Sequence, residues 1–226
     1  MGRLYGVVVG VDTKQPLVAL TFDDGPDPVT TPRFLEVLER HGARATFFMV
    51  GQRALRHPDL VARVAAAGHA IAHHTLDHLS LPGIGRERLR AQVAGGYEAV
   101  KPYGVRLFRP PWGHLDRAAW RVIRSEGHEI IAWTGHAFDW TPQASPMVTT
   151  HLQACLRPGA IILLHDAPQR CDAADGSART GLLTALETVL RGPTPWRFVT
   201  VPELLASGRP RRLVRWQLPA ASVPER

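Results

Sequence analysis

Three features of this 226-residue sequence predict an α/β fold of barrel type. Short, continuously apolar runs alternate with amphipathic stretches of helical period. Several of those stretches end on a glycine shortly before the next apolar run. Most of the apolar runs, in turn, stop on an ionisable residue. Continuous rather than alternating apolarity marks strands buried on both faces, as in a parallel sheet covered by helices. Seven such strand–helix units in a chain of this length favour a barrel over a doubly wound sheet. No Gly-x-Gly-x-x-Gly follows any run, which speaks against a dinucleotide-binding fold.

Residues 1–16 precede the first unit and are expected to form a strand or hairpin across the barrel floor. The first apolar run, LVALTF at 17–22, leads to a helix at 32–40 and then Gly42. ATFFMV at 45–50 is followed by a helix at 59–67 and Gly68, and AIAH at 70–73 by a helix at 86–100. VRLF at 105–108 precedes a helix at 117–125 and Gly127; IIAW at 130–133 precedes a helix at 147–156 and Gly159. AIILL at 160–164 and a helix at 179–190 come before the last run, FVTV at 198–201. Gly42, Gly68, Gly127 and Gly159 read as the residues just past helix ends, because glycine accepts the left-handed conformation that closes a helix. Residues 207–226 show no clear period and read as a basic C-terminal tail. The expectation is a single domain over 1–226, with the barrel at 15–206.

Composition narrows the class. With 45% hydrophobic and 21% charged residues, the chain is neither disordered nor fibrous, and it can bury a core without disulfide or metal staples. It has no run of 18 apolar residues, the length a membrane span needs. Lys plus Arg outnumber Asp plus Glu by 27 to 20, a net charge of +7, which suits an anionic partner. Four of those arginines lie in RPRRLVR at 209–215, and no nucleic-acid-binding motif is present, so no nucleic-acid partner is expected. Cys155 and Cys171 leave pairing and free thiols equally open. MGRLYGVVVG has an apolar stretch too short for a signal peptide; the expected location is cytoplasmic, or extracytoplasmic if an export signal has been removed. A monomer is expected.

The informative residues sit where the runs stop. Asp23-Asp24 follow the first, His73-His74 the third, Arg109 the fourth and His165-Asp166 the sixth. Parallel α/β sheets gather the C-terminal ends of their strands on one face, so these groups converge there. A divalent metal would organise them. In TFDDGP one carboxylate can bind metal while its neighbour acts as a base, although Asp-Gly-Pro is also ordinary turn chemistry. In HTLDH the i,i+4 spacing places His74 and His78 on one face of a helical turn, within reach of one ion; a solvated helix face reads the same way. His74 is preferred to His73 on spacing. Asp24, His74 and His78 form a three-ligand set with open positions, the pattern of catalytic zinc. Asp23 is then the candidate base, His165 the candidate acid, and Arg109 a partner holding Asp23 ionised.

TFDDGP, HHTLDH, RPPWG, the FDW of HAFDW and LLHD, in that order, resemble the five motifs of the NodB-like polysaccharide deacetylases, carbohydrate esterase family 4. The resemblance covers about residues 15–205. It implies a distorted (β/α)7-type barrel and metal-dependent removal of acetyl groups from N-acetylglucosamine-type sugars, with peptidoglycan or chitin-type glycans as substrates. It also implies one divalent ion, Zn2+ first and Co2+, Ni2+ or Mn2+ as substitutes. By position, Asp23 matches the family's base, Asp24, His74 and His78 its metal ligands, and Thr75 the Ser/Thr between the histidines. Arg109 matches the arginine that tethers the base and Asp139 the aspartate that tunes the polar network. His165 matches the acid, Leu163 an apolar residue lining the acetyl pocket, and Trp112 the aromatic whose backbone N–H assists the oxyanion. Trp112, Trp133 and Trp140, near the rim, are candidates to stack on sugar rings, with a core role equally open for Trp133. Two positions depart from the pattern: His136 stands where a second aspartate is frequent, and His73 where asparagine is common. The alternatives are an O-acetyl esterase acting on acetylxylan, a small-molecule amide hydrolase on the same fold, and a carbohydrate-binding protein without catalysis. Asp23 and His165, both dispensable for binding, weigh against the last.

Overall fold

A computed structural model describes residues 6–141, 144–167, 179–193 and 195–213. Its frame is the parallel set β2 (Leu17–Asp23), β3 (Ala45–Met49), β4 (Ala70–His73), β5 (Gly104–Phe108), β6 (Glu129–Ile130), β7 (Gly135–His136) and β8 (Ala160–His165). β2 pairs with β3, β3 with β4, β4 with β5 and β5 with β6. On its other side β2 pairs with β8, and β8 in turn with β7. Because β6 and β7 belong to one short stretch, the sheet curls until that stretch touches both β5 and β8. The result is a distorted α/β barrel. The helices are α1 (Thr31–Arg40), α2 (Gly51–Arg56), α3 (Pro58–Ala66), α4 (Arg86–Glu98), α5 (Arg117–Ser125), α6 (Ser145–Cys155), α7 (Thr180–Arg191) and α8 (Val201–Ala206).

The period-2 alternation of β2 decides what faces the chemistry. Val18, Leu20 and Phe22 join Phe34 and Leu38 of α1 and Leu182 and Leu186 of α7 in the core between sheet and helices. Leu17 and Ala19 turn the other way, into the curl, with Phe48, Ala72, Leu107, Ile131 and Ile161. Thr21 and Asp23 share the parity of the second set, so the polar end of the strand tops the barrel interior.

Four expectations are corrected. The run at 130–133 is not a continuous strand: β6 ends at Ile130 and β7 begins at Gly135. The run at 198–201 yields only β9 (Arg197–Phe198), beside the start of β2; Val201 already opens α8, whose start is fixed by a reciprocal Thr200–Glu203 capping box. Gly42, Gly68 and Gly127 do follow the caps of α1, α3 and α5, but Gly159 lies beyond the extended Leu156 cap of α6 and closes a turn instead. Part of the supposed basic tail is a strand, β10 (Arg209–Leu213), antiparallel to β1 (Val7–Asp12). Two of its arginines have acidic partners there: Arg212 makes a bidentate contact with Glu129 at 2.8 and 2.9 Å, and Arg211 Nη1 lies 3.9 Å from Asp12. β1 also meets β8 at Gly10↔Ala160, the start of that strand, which puts it at the end of the barrel opposite the site. Residues 214–226 and Cys171 lie outside the described residues.

Candidate active site

Asp23 closes β2 in register with His165 of β8 and Phe48 of β3. From just past the end of β5, three strands along, Arg109 reaches across the barrel and is wholly buried. Its Nη1 donates to Asp23 Oδ1 at 2.7 Å and to Thr21 Oγ1 at 2.8 Å; Nε and Nη2 donate to the carbonyls of Ile131 and Ala132 at 3.3 and 3.2 Å. The guanidinium lies 4.1 Å over the Phe48 ring. A buried cation persists only when it is paired and hydrogen-bonded; this one is paired with Asp23, and each of its three nitrogens donates at least one hydrogen bond. Burial pushes the Asp23 carboxyl up to about 6, against the lowering pull of Arg109 and His165.

Asp24, one residue on, has φ +76 and leaves the strand direction, so its carboxylate points away from Asp23's partner. Its Oδ1 lies 3.1 Å from His78 Nε2 and 3.8 Å from His74 Nε2, while the buried Oδ2 has no hydrogen-bond partner. Burial would raise this carboxyl, but the His78 hydrogen bond and the charges of His165, His78 and His74 hold it well below the usual carboxylate range. His74 Nδ1 donates to the Arg109 carbonyl at 2.7 Å, which leaves the lone pair of Nε2 facing the carboxylates. One donor atom each from Asp24, His74 and His78 lies within 4.8 Å of the others. A carboxylate and two imidazoles with an orphaned buried oxygen fit a divalent first-row ion. The helical turn expected for 74–78 is absent: Thr75 and His78 are left-handed, with φ +68 and +56, and a loop rather than i,i+4 geometry brings the imidazoles together. His73 points elsewhere, its Nε2 3.4 Å from His128 Nδ1.

His165 ends β8, with Nδ1 3.1 Å from both carboxylate oxygens of Asp139; its backbone N–H donates to Asp139 Oδ2 at 2.9 Å. Burial pulls the imidazole down, yet Asp139, then Asp24 and Asp23, lift it to about 9. Two groups that handle protons, one carboxylate and one imidazolium, therefore flank a candidate metal centre on adjacent strands.

Residues 10–131 match the family model described as polysaccharide deacetylase. A peptidoglycan-N-acetylglucosamine deacetylase of Bacillus cereus is 34% identical over 201 residues, 86% of this chain and 91% of the relative. The chain belongs to the polysaccharide deacetylase family. A chitooligosaccharide deacetylase of Sinorhizobium fredii is 35% identical over 184 residues, 79% of this chain and 86% of that one. Among solved structures, a peptidoglycan N-acetylglucosamine deacetylase crystallised with an N-hydroxybenzamide derivative aligns with TM-score 0.81 and 29% identity, covering 92% of this chain and 96% of its own. A family pseudoenzyme from Bacillus anthracis also shares the fold, with TM-score 0.75 at 22% identity over 89% of this chain and 69% of its own.

The other expected residues of this deacetylase surround the same mouth. Trp112, with φ +52 in a 3-10 turn after β5, packs its ring 4.4 Å from that of His78. Leu163 is buried two residues before His165, on the same face of β8, in register with Thr21. Trp140 stands edge-on to His165 at 5.5 Å and is 37% exposed. His136 contacts the rings of Phe138 and Trp140 at 4.2 and 4.9 Å. Sequence reasoning assigns no role to Arg179, which donates to the Asp139 carbonyl at 2.9 Å and to the Ala167 carbonyl at 2.7 Å; 40 residues separate it from Asp139, and no local pattern marks it. Asp166 reads in the sequence only as a strand-end acid. It accepts from Gly25 N at 3.2 Å and from Thr31 Oγ1, and burial pushes it up to about 7. A Cβ on Gly25 would overlap Asp166 Oδ2, so glycine is required where the Asp23-Asp24 loop crosses this buried acid.

Proposed function

We propose that this deacetylase hydrolyses the N-acetyl groups of N-acetylglucosamine residues in peptidoglycan- or chitin-type glycans, releasing acetate and the free amino sugar. The observation that carries the reading is the pair Asp23 and His165. They lie in register on adjacent strands, and each is locked by its own buried partner, Arg109 or Asp139. A protein that only bound sugar would have no use for two such tethered proton carriers of opposite charge. The relatives named for peptidoglycan and chitooligosaccharide deacetylation support the substrate class.

Asp24, His74 and His78 would hold the ion, Zn2+ by the donor set. Bound there, a divalent ion polarises an acetyl carbonyl and brings the pKa of water toward neutrality. Arg109 engages Asp23 Oδ1, which leaves Oδ2 on the side of His74 to take the proton of the attacking water. The tetrahedral oxyanion meets the Trp112 backbone N–H, and Leu163 borders the acetyl methyl. His165, tied through Nδ1, keeps Nε2 to protonate the departing amine. Trp140 stacks on a sugar ring.

Acetate release from N-acetylated chitooligosaccharides, peptidoglycan fragments and acetylxylan, each with and without chelator and added Zn2+, tests the proposal. Metal-dependent turnover of the N-acetylated substrates is the expected result. Turnover of acetylxylan alone, or undiminished activity after chelation and dialysis, would overturn it.

A further inference from the structure

The loop carrying His74 and His78 is tied to its neighbours unevenly. His74 is anchored twice, through its backbone N–H to the Met49 carbonyl at 2.8 Å and through Nδ1 to the Arg109 carbonyl at 2.7 Å. His78, at the far end, is partly exposed; its Nε2 faces Asp24, and its ring packs on Trp112 without a backbone anchor of the kind that fixes His74 among the described residues. Between them the chain turns through left-handed Thr75, so the position of His78 depends on what holds Leu76 and Asp77.

α4 holds them. Gln92, 4% exposed, accepts from the Leu76 N–H through its backbone carbonyl at 3.0 Å and from the Asp77 N–H through Oε1 at 3.0 Å. Its Nε2 donates to Asp77 Oδ2 at 2.7 Å. Asp77 is thus gripped by backbone and side chain together, and both halves of one buried amide are used. Gly95 and Gly96, three and four residues on, share the Gln92 face of the helix. A Cβ on Gly96 would lie 2.7 Å from the Thr75 backbone, and one on Gly95 3.0 Å from Leu76. Two adjacent glycines inside a helix are unfavourable for the helix itself. Here they let the loop lie against α4 closely enough for Gln92 to reach Asp77.

We propose that Gln92 is a positioning residue for the metal centre: through its two-point grip on Asp77 it sets where His78 presents Nε2 to the ion. The inference rests on reading Asp24, His74 and His78 as the metal site. Geometry dictates the test. Gln92→Glu keeps the acceptor for the Asp77 N–H but sets a second carboxylate against Asp77, whereas Asp77→Asn/Gln92→Glu restores a donor–acceptor pair with the roles reversed. Asp77→Asn alone keeps an oxygen for Gln92 Nε2 and removes only the charge.

Zn2+ affinity by calorimetry, the visible spectrum of the Co2+-loaded protein and the Tm of the metal-free protein are measured for each variant. Gln92→Glu is expected to weaken Zn2+ binding by roughly tenfold or more and to change the Co2+ spectrum as an imidazole ligand loosens. The double variant should return both to within about threefold of the parent, and Asp77→Asn should stay in that range. Asp77→Ala, at an exposed position, should weaken binding as Gln92→Glu does, with the Tm of the metal-free protein unchanged. Parental Zn2+ affinity and Co2+ spectra in both Gln92→Glu and Asp77→Ala would overturn the proposal, as would failure of the double variant to recover affinity. Absence of Zn2+ binding in the parent would instead remove the metal-site reading itself, and the inference with it.

Discussion

Asp23 and Asp24 are the same side chain one residue apart, and their surroundings drive them in opposite directions. Asp23 is desolvated and raised to about 6, whereas Asp24, turned toward two imidazoles by a positive φ, is held low. The first is fit to exchange protons and the second to stay an anionic ligand. Asp23→Asn is therefore expected to cut turnover by about 10²–10⁴-fold while elemental analysis finds normal metal content. Asp24→Asn should lose the metal. His165 is raised to about 9 by Asp139 despite its burial, so it is protonated at neutral pH and loses its proton as pH rises through that value. The pH–rate profile should fall on the alkaline side near 9, and Asp139→Asn should move that limb toward the ordinary histidine value near 6.5. His165→Ala should harm amide substrates more than esters with good leaving groups, in parallel rate measurements; equal losses would remove its role as acid.

Glycines set the element scale, and two of them separate conformational cost from steric cost. Gly42, past α1, has φ +59, and a Cβ added there would meet no atom within 4 Å, whereas a Cβ on Gly159 would overlap the Val11 carbonyl oxygen. Gly42→Ala should cost only the left-handed penalty of about 1–2 kcal/mol. Gly159→Ala adds a backbone clash and threatens the Val11 N–H to Gly159 carbonyl bond that seats β1. At roughly 2–4 °C per kcal/mol for a chain of this size, Gly42→Ala should lower Tm by about 2–8 °C and Gly159→Ala by more. Both glycines stand out in the sequence, but which one is jammed against β1 is a long-range fact. β10 is equally hidden, because RPRRL has neither apolar alternation nor a strand-like composition. It becomes a strand by pairing along β1, with Arg212 on Glu129, and as an edge strand it tolerates Pro210.

For the whole molecule, stability should depend on metal and on pH. A ligand that binds only the folded state stabilises it by about 2.7 kcal/mol at a concentration one hundred times its Kd, so saturating Zn2+ should raise Tm by roughly 5–10 °C. Asp24→Asn should abolish that shift in the same melting experiment. Burial, with Arg44 or Arg106 nearby, depresses His69 and His128 to about 4. The unfolded chain therefore takes up these protons first, and the stability present above about 6.5 is lost as pH falls toward 4. His165 acts in the opposite sense: its folded value lies above the unfolded one, so its contribution is full below about 6.5 and is lost as pH rises through about 9. Asp23 and Asp166, raised by burial to about 6 and about 7, act in the same sense as His165 and offset part of the acid-side loss, so the alkaline fall in Tm should be the clearer of the two in melting curves.

By itself the sequence determined the alternation of buried strands and helices, and the ionisable residues on which the strands stop, because burial on both faces and a parallel sheet leave a direct imprint on local order. It also singled out Asp23, Asp24, His74, Arg109 and His165, since each lies at or just past a strand end and all parallel strands end on one face, and His78 by its spacing from His74. Only the tertiary structure decided how His74 and His78 meet, through a left-handed loop and not a helical turn. It alone decided that Arg179 holds Asp139, that Asp166 carries the Asp23-Asp24 loop, and that Gln92 grips Asp77. Those partners come from separate elements, and no local pattern of residues records a contact made between segments that only the folded barrel brings together.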